Sequence, residues 1–334
     1  LLLEMIFRSA PRLIELQNHL ISKLLNKTDL VKASNKWEKN EGEAYVWVYE
    51  NQQKETEHLF QEVKNWIEQN ALEPSDICIL VKQQLSVYAG EIIDYFNDNG
   101  IKARDENQLQ DLLSDDVIVF ILNTLCLLSD KKSLDEKTQA IKFLINTSSV
   151  YEDTEIVKLE NNFNKFTKQL LKKDLNPKEL INEIIDFVTV DRIKANFPNY
   201  RNSTFLKNML NQLSESLEKY KEESDNTYEA VQKLLGKDSV PIMTIHKSKG
   251  LEYNSIIFVG LEDGAFWSFE KQPDEDKCAF FVALSRAKER VAFTFSKTRV
   301  DKYGRMRNQG IDKIKIIFEE LQNSKIVDFK PIKD

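Results

Sequence analysis

The stretch from Val240 to Phe295 limits the possible folds more than any other part of the chain. It opens with an apolar strand pattern that runs into a polar turn, Val240-Pro-Ile-Met-Thr-Ile-His-Lys-Ser-Lys-Gly-Leu-Glu-Tyr253. A second apolar run, Ser255-Ile-Ile-Phe-Val-Gly-Leu261, follows almost at once. The block Cys278–Lys288 then reads as a helix, and Arg290-Val-Ala-Phe-Thr-Phe295 as a further strand. In α/β proteins, ligand sites form from polar groups held at the tips of buried strands. The turn after Val240 has that character.

The first hundred residues repeat the alternation. Ala44–Glu50 is rich in β-formers, Glu55–Gln69 is helical in period, and Ile77-Cys-Ile-Leu-Val81 reads as a buried strand. A helix over Val87–Asn97 stops at Asn99-Gly100 and leads to a short strand, Ile101–Arg104. Strand, helix, strand, helix, strand predicts a parallel sheet covered by helices. Upstream, Leu13, Ile14, Leu16, Leu20, Ile21 and Leu24 recur at helical spacing. With Ser9 as N-cap and Pro11 in the first turn, Arg8 falls at a strand-to-helix junction.

Between Leu109 and Leu235 strand signals fade. Helices are predicted over Val117–Leu128, Leu134–Ile145, Thr154–Leu171, Pro177–Phe187 and Phe205–Lys221. The expected organisation is therefore a discontinuous α/β domain, residues 1–108 and 236–334, interrupted by an all-α insertion over 109–235. Ile311–Leu321 reads as a closing helix and Ile326–Phe329 as a last strand.

Composition narrows the functional classes. The 334 residues are 41% hydrophobic and 30% charged, with nine Gly and seven Pro, as in a soluble, helix-rich protein of two or three domains. A net charge of -7 argues against non-specific adhesion to nucleic acid or acidic membranes, yet leaves room for a local basic groove. Three Cys (Cys78, Cys126 and Cys278) include no CxxC pair, which fits a reducing compartment and neither a disulfide framework nor a zinc site. No apolar run approaches the roughly 20 residues that span a bilayer. The expectation is a cytoplasmic protein that, beginning at Leu1, forms part of a longer or processed chain.

Several chemistries are excluded. No G-x-x-x-x-G-K-[ST] occurs, so the phosphate-cradling loop is absent from this sequence. Asp274-Glu-Asp-Lys277 follows Pro273 as an acidic, solvated loop rather than a magnesium-binding pair at a strand end. His19, His58 and His246 do not cluster, which leaves metal catalysis and a Ser-His-Asp triad without support.

The remaining candidates each admit two roles. Arg286 ends an apolar helix, where it can complement the helix dipole or extend a planar, permanently charged fork to a phosphate. Glu252 is either an exposed turn residue or a ligand contact, and Gly250 supplies the turn's backbone freedom. His246 stands at a strand tip between Thr244 and Lys247. Lys82, at the tip of Ile77–Val81, is a nucleic-acid candidate or a solvated surface charge. Trp267 and Phe269 are core lids or stacking platforms, with the core favoured.

Taken together, Phe7-Arg8-Ser9, Thr244-Ile-His-Lys-Ser-Lys-Gly-Leu-Glu252 and Phe281-Val-Ala-Leu-Ser-Arg-Ala287 resemble, in order and spacing, the fourth, fifth and sixth motifs of superfamily 1 DNA helicases of the UvrD, Rep and PcrA group. The usual Asn before the aromatic of the fourth motif is Ile6 here. The resemblance covers essentially the whole chain and implies a RecA-like second helicase domain, with the helical insertion in the place of that group's accessory domain. It further implies ATP as the nucleotide, with Mg2+ held mainly by an N-terminal RecA-like half that carries the P-loop. Arg8 and Arg286 would contact the γ-phosphate as arginine fingers, and Glu252, with Gly250 shaping its turn, would contact the nucleotide sugar. Thr244, His246, Lys247 and Lys82 would face single-stranded DNA, with translocation 3′ to 5′. Two other readings remain: a helicase-like subunit coupled to a nuclease, and a non-catalytic RecA-like module that binds DNA or protein.

Overall fold

Mostly buried strands at 77–81, 240–244 and 253–259, each with Ile or Val at its inner positions, lie side by side in one seven-stranded sheet, and all of its pairings are parallel. The computed structural model describes residues 5–6, 9–28, 30–34, 36–107, 109–129, 134–148, 150, 152–201 and 203–332. Arg8, a predicted phosphate contact, lies outside them.

In chain order, β1 (Met5–Ile6) leads to α1 (Pro11–Leu24), and β1 pairs with β2 (Lys32–Ala33). The alternation then runs β3 (Glu43–Tyr49), α2 (Gln52–Asn70), β4 (Ile77–Val81), α3 (Leu85–Asp98) and β5 (Ala103–Asp105). A helical series follows: α4 (Gln110–Leu113), α5 (Asp116–Cys126), α6 (Leu134–Ser148), α7 (Asp153–Leu170), α8 (Pro177–Val188), α9 (Val190–Asn196), α10 (Ser203–Glu222) and α11 (Thr227–Leu234). Strands resume with β6 (Val240–Thr244) and β7 (Tyr253–Val259), then α12 (Pro273–Ser285) and β8 (Ala287–Ser296). The antiparallel pair β9 (Thr298–Val300) and β10 (Met306–Asn308), α13 (Lys315–Asn323) and β11 (Asp328–Pro331) complete the chain.

Two compact units result: Leu1–Asn107 with Asp238–Asp334, and Gln108–Lys237. The first holds the sheet, in the order β11-β3-β8-β7-β4-β6-β5. Its core joins both faces of the central strands (Ile79, Ile257, Phe258, Phe293) to the apolar stripes of α1, α2 and α3, including Leu16, Leu59 and Ile92. Every residue of β4 is buried, as its unbroken apolar sequence requires for a strand covered on both faces. The second unit has its own core, in which Phe120 stacks on Phe143 with centroids 4.5 Å apart. There α8 begins with a capping box: Asn176 accepts from Glu179 N, Glu179 accepts from Asn176 N, and Pro177 occupies the first turn.

Several expectations need correction. Ser9 is not the N-cap of α1; that position is Ala10, and Ser9 Oγ instead donates to Ala287 O at 2.9 Å. Asp274–Lys277 is not a solvated loop. It forms the first turn of α12, where carboxylates complement the helix N-terminus, and Asp276 is buried. The last strand is displaced to Asp328–Pro331, and α4, α9, α11 and the β9–β10 pair have no counterpart in the sequence reading.

Candidate functional site

The parallel register brings two of the predicted residues together. Tyr253 is the partner of Ala287 in the β7–β8 ladder, and Tyr253 N donates to Arg286 O at 3.0 Å. Glu252 and Arg286 each precede one of these partners, so they stand side by side where the two strands begin. Arg286 is the C-cap of α12, which delivers the chain directly into β8. Its Nε donates to Val282 O at 3.3 Å and its Nη1 to Leu251 O at 3.2 Å. Carbonyls at a helix C-terminus carry partial negative charge, which holds the half-buried guanidinium against the turn that bears Glu252.

The N-terminal segment reaches the same place. Beside the Ser9–Ala287 bond, Ala10 N donates to Lys288 O at 2.7 Å. The residues around all three motifs therefore meet at the N-terminal edge of β7 and β8.

Thr244 ends β6 at the opposite edge, in register with Val81, which is itself in register with Val259 at the end of β7. The link from Ile245 to Glu252 must retrace about 20 Å of strand in eight residues, which leaves space for a single 3-10 turn, Ile245–Ser248. That turn buries Ile245 and Ser248, exposes His246 and leaves Lys247 half-buried; Lys249 just beyond it is exposed. Ser248 Oγ donates to Ile245 O at 2.7 Å and closes it. Gly250 follows with φ +82, and nothing lies within 4 Å of the Cβ it lacks. Backbone conformation alone calls for glycine there.

Lys82 is not a solvated charge at its strand tip. Its side chain is 7% exposed, and Nζ lies 2.8 Å from Asp276 Oδ1 and 4.6 Å from the centroid of the Phe266 ring. An ammonium committed to a buried carboxylate is not available to a phosphate without breaking that pair. Trp267 also departs from expectation: it is 54% exposed, whereas Phe266, Ser268 and Phe269 around it are buried. The loop spends its inward positions on the two phenylalanines and turns the indole outward.

Asn107 was missed. Its Oδ1 accepts from Thr244 N at 3.2 Å and from Thr244 Oγ1 at 3.3 Å. A polar residue just past a short strand gives no signal of a partner 137 positions away. Next to it, burial pushes the Glu106 carboxyl up and the charge of Arg104 pulls it back, with Arg104 Nε 2.7 Å from Glu106 Oε1. Among the described residues no group of three or more His, Cys, Asp or Glu could hold a metal ion, and no helix is long and apolar enough to cross a membrane.

A parallel α/β sheet with polar residues gathered at both strand edges is a RecA-like arrangement. The chain belongs to the UvrD-like helicase C-terminal domain family, whose model matches residues 91–298. That range contains Thr244, His246, Glu252 and Arg286.

Among curated proteins, the chain is 32% identical over 72 residues to the ATP-dependent DNA helicase Rep of Buchnera aphidicola subsp. Schizaphis graminum, covering 20% of this chain and 11% of that protein. It is 33% identical over 69 residues to the ATP-dependent DNA helicase PcrA of Bacillus subtilis, covering 19% and 9%. It is 33% identical over 67 residues to DNA helicase II of Escherichia coli, again covering 19% and 9%. The matched segments thus span only about a tenth of the length of these relatives.

Proposed function

We propose that this chain is the C-terminal portion of an ATP-dependent DNA helicase or translocase, moving 3′ to 5′ on single-stranded DNA. The observation that carries the reading is the Tyr253–Ala287 register, which sets Glu252 beside Arg286 at one sheet edge while the Ile245–Glu252 link leads directly to Thr244 at the other. Nucleotide chemistry and DNA grip would then occupy opposite ends of one short, buried connection.

In this reading ATP binds between the N-terminal edge of the sheet and a RecA-like domain that carries a P-loop. Arg286, with Arg8, stabilises the charge that spreads over the γ-phosphoryl oxygens during transfer, a role suited to a fixed, planar cation. Its Nη1 exchanges the Leu251 carbonyl for a phosphate oxygen, a stronger, charge-assisted partner. That exchange frees the carbonyl next to Glu252 and so couples nucleotide state to the turn. Glu252 accepts from the nucleotide sugar, and Gly250 allows the turn its left-handed step. Thr244, His246 and Lys247 face the DNA backbone. In this reading Mg2+ is held mainly by the P-loop domain. The helical unit corresponds to the accessory domain of the family.

The test is Arg286→Ala in the complete protein. The expected outcome is loss of DNA-stimulated ATP turnover by about 10³-fold or more, with DNA binding retained. Stimulated turnover within a few-fold of wild type would reject the arginine-finger role. The chain alone, without a P-loop domain, should not hydrolyse ATP.

A further inference from the structure

The contact between Asn107 and Thr244 fixes which group at the C-terminal edge has a proton to give. The N–H of Thr244 can only donate, so the atom of Asn107 facing it must be the carboxamide oxygen. That oxygen also receives the Thr244 hydroxyl proton, and both of its lone-pair positions are then occupied. Two consequences follow. The single hydroxyl proton of Thr244 is committed to Asn107 while this bond stands. The same two contacts direct Nδ2, with its two N–H donors, to the other side of the carboxamide. No hydrogen bond joins Nδ2 to a described residue, and Asn107 is only half-buried.

Its surroundings mix charge. Asp105 Oδ1 accepts from Asn107 N at 2.9 Å, and Glu106 is paired with Arg104. These carboxylates are held by partners, and the nearby cations are those of the turn after Thr244, Lys247 and Lys249. A neutral donor set beside tethered carboxylates selects an anion by hydrogen bonding rather than by net charge.

We infer that Asn107 is a direct nucleic-acid contact: Thr244 orients its carboxamide, and Nδ2 donates to a phosphate oxygen of single-stranded DNA. This rests on the reading of the Thr244 edge as the DNA track. Thr244 then acts as a positioning residue, and the donor is supplied from the residue immediately before the helical unit begins at Gln108.

Binding of a fluorescein-labelled dT16 oligonucleotide to the full chain at 50 mM salt, read by anisotropy, tests it. Asn107→Asp keeps an oxygen for both Thr244 contacts but replaces the N–H donors with an anion. It should bind about tenfold or more weakly, with its melting temperature nearly unchanged. Asn107→Ala adds no charge and should lose several-fold. Thr244→Val keeps the backbone N–H anchor and should lose less than either. If Thr244→Val binds far more weakly while both Asn107 variants bind like wild type, the hydroxyl is the donor and the inference fails with the DNA edge intact. If these three variants, His246→Ala and Lys249→Ala all match wild type, or if the unmodified chain does not bind, the DNA reading of this edge fails as well.

Discussion

Lys82 Nζ and Asp276 Oδ1 form an ion pair at 2.8 Å, between side chains 7% and 2% exposed, that ties the end of β4 to the first turn of α12. Ser268 completes the cluster, accepting from Lys82 Nζ at 3.4 Å and donating to Asp276 Oδ2 at 3.3 Å. Removing one charge strands the other in a low-dielectric site, whereas removing both removes the penalty together with the attraction. Lys82→Met should therefore cost about 3 kcal/mol in urea unfolding, and Lys82→Met with Asp276→Leu clearly less than the single change. A Lys82→Met protein of wild-type stability, with DNA affinity lost, would return Lys82 to the DNA track.

Arg299 lies between two buried carboxylates, with Nη2 2.7 Å from Glu55 Oε2 and Nε 2.9 Å from Glu262 Oε1. Its guanidinium also stacks 4.8 Å from the Tyr88 ring centroid. Burial pushes the Glu262 carboxyl up, and Arg299 is the main influence holding it down. Arg299→Met leaves two facing carboxylates without a cation. It should destabilise the sheet unit by about 3–5 kcal/mol, and lowering the pH should recover part of the loss as one carboxyl takes up a proton. Denaturant midpoints at pH 7 and pH 5 would check this; a loss that is the same at both would contradict it.

Gly250 and Gly260 share a left-handed backbone, with φ +82 and +84, but not an environment. A Cβ at Gly250 meets open space, while one at Gly260 would sit 2.6 Å from the Tyr88 ring. Gly250→Ala should cost only backbone strain, about 1 kcal/mol. Gly260→Ala adds a clash with a buried ring and should cost at least about 2 kcal/mol more. Equal costs in thermal unfolding would show that Tyr88 can move aside. Gly250→Ala should also weaken nucleotide-dependent function more than its stability cost explains, because the turn places Glu252.

The parallel sheet was legible because β4 is an unbroken apolar run, β6 and β7 carry apolar runs at 240–243 and 256–259, and the helices between strands carry a clear 3.6-residue period. The long helices of the second unit were legible for the same reason. What escaped was decided by tertiary contact. Lys82 looks like a strand-tip cation, and only the fold of α12 supplies the buried carboxylate that removes it from the surface. Trp267 is apolar among apolar neighbours, and nothing local tells which of Phe266, Trp267 and Phe269 turns outward. α9 has no counterpart in the sequence reading, whose helix stops at Phe187, because Thr189, at φ 70, separates it from α8 without a Gly or Pro to mark a new start. The convergence of Glu252 with Arg286 depends on strand register, which spacing along the chain does not encode.

His58 offers a pH-dependent test of the edge formed by β3 and β11. Its ring lies edge-on to Trp47 at 5.0 Å, and Nδ1 is 2.9 Å from the Tyr49 hydroxyl. Burial first, and then the charge of Lys330, bring its pKa from 6.5 down to about 4. In the folded protein His58 thus stays neutral across a range in which the unfolded chain protonates it. Between pH 4 and 6.5 the unfolded state binds the extra proton, so stability rises with pH through this window. The contribution is complete above 6.5 and lost as pH falls toward 4. Allowing for the partial exposure of the ring, it amounts to about 1–2 kcal/mol. Glu62 lies 3.9 Å from His58 Nε2, and burial pushes its carboxyl up, which opposes part of the effect. The informative quantity is therefore the difference between wild type and His58→Gln, which keeps a polar partner for Tyr49 and does not titrate. Wild type should lose more stability than His58→Gln between pH 7 and pH 5; parallel melting curves for the two proteins would contradict a buried, neutral His58.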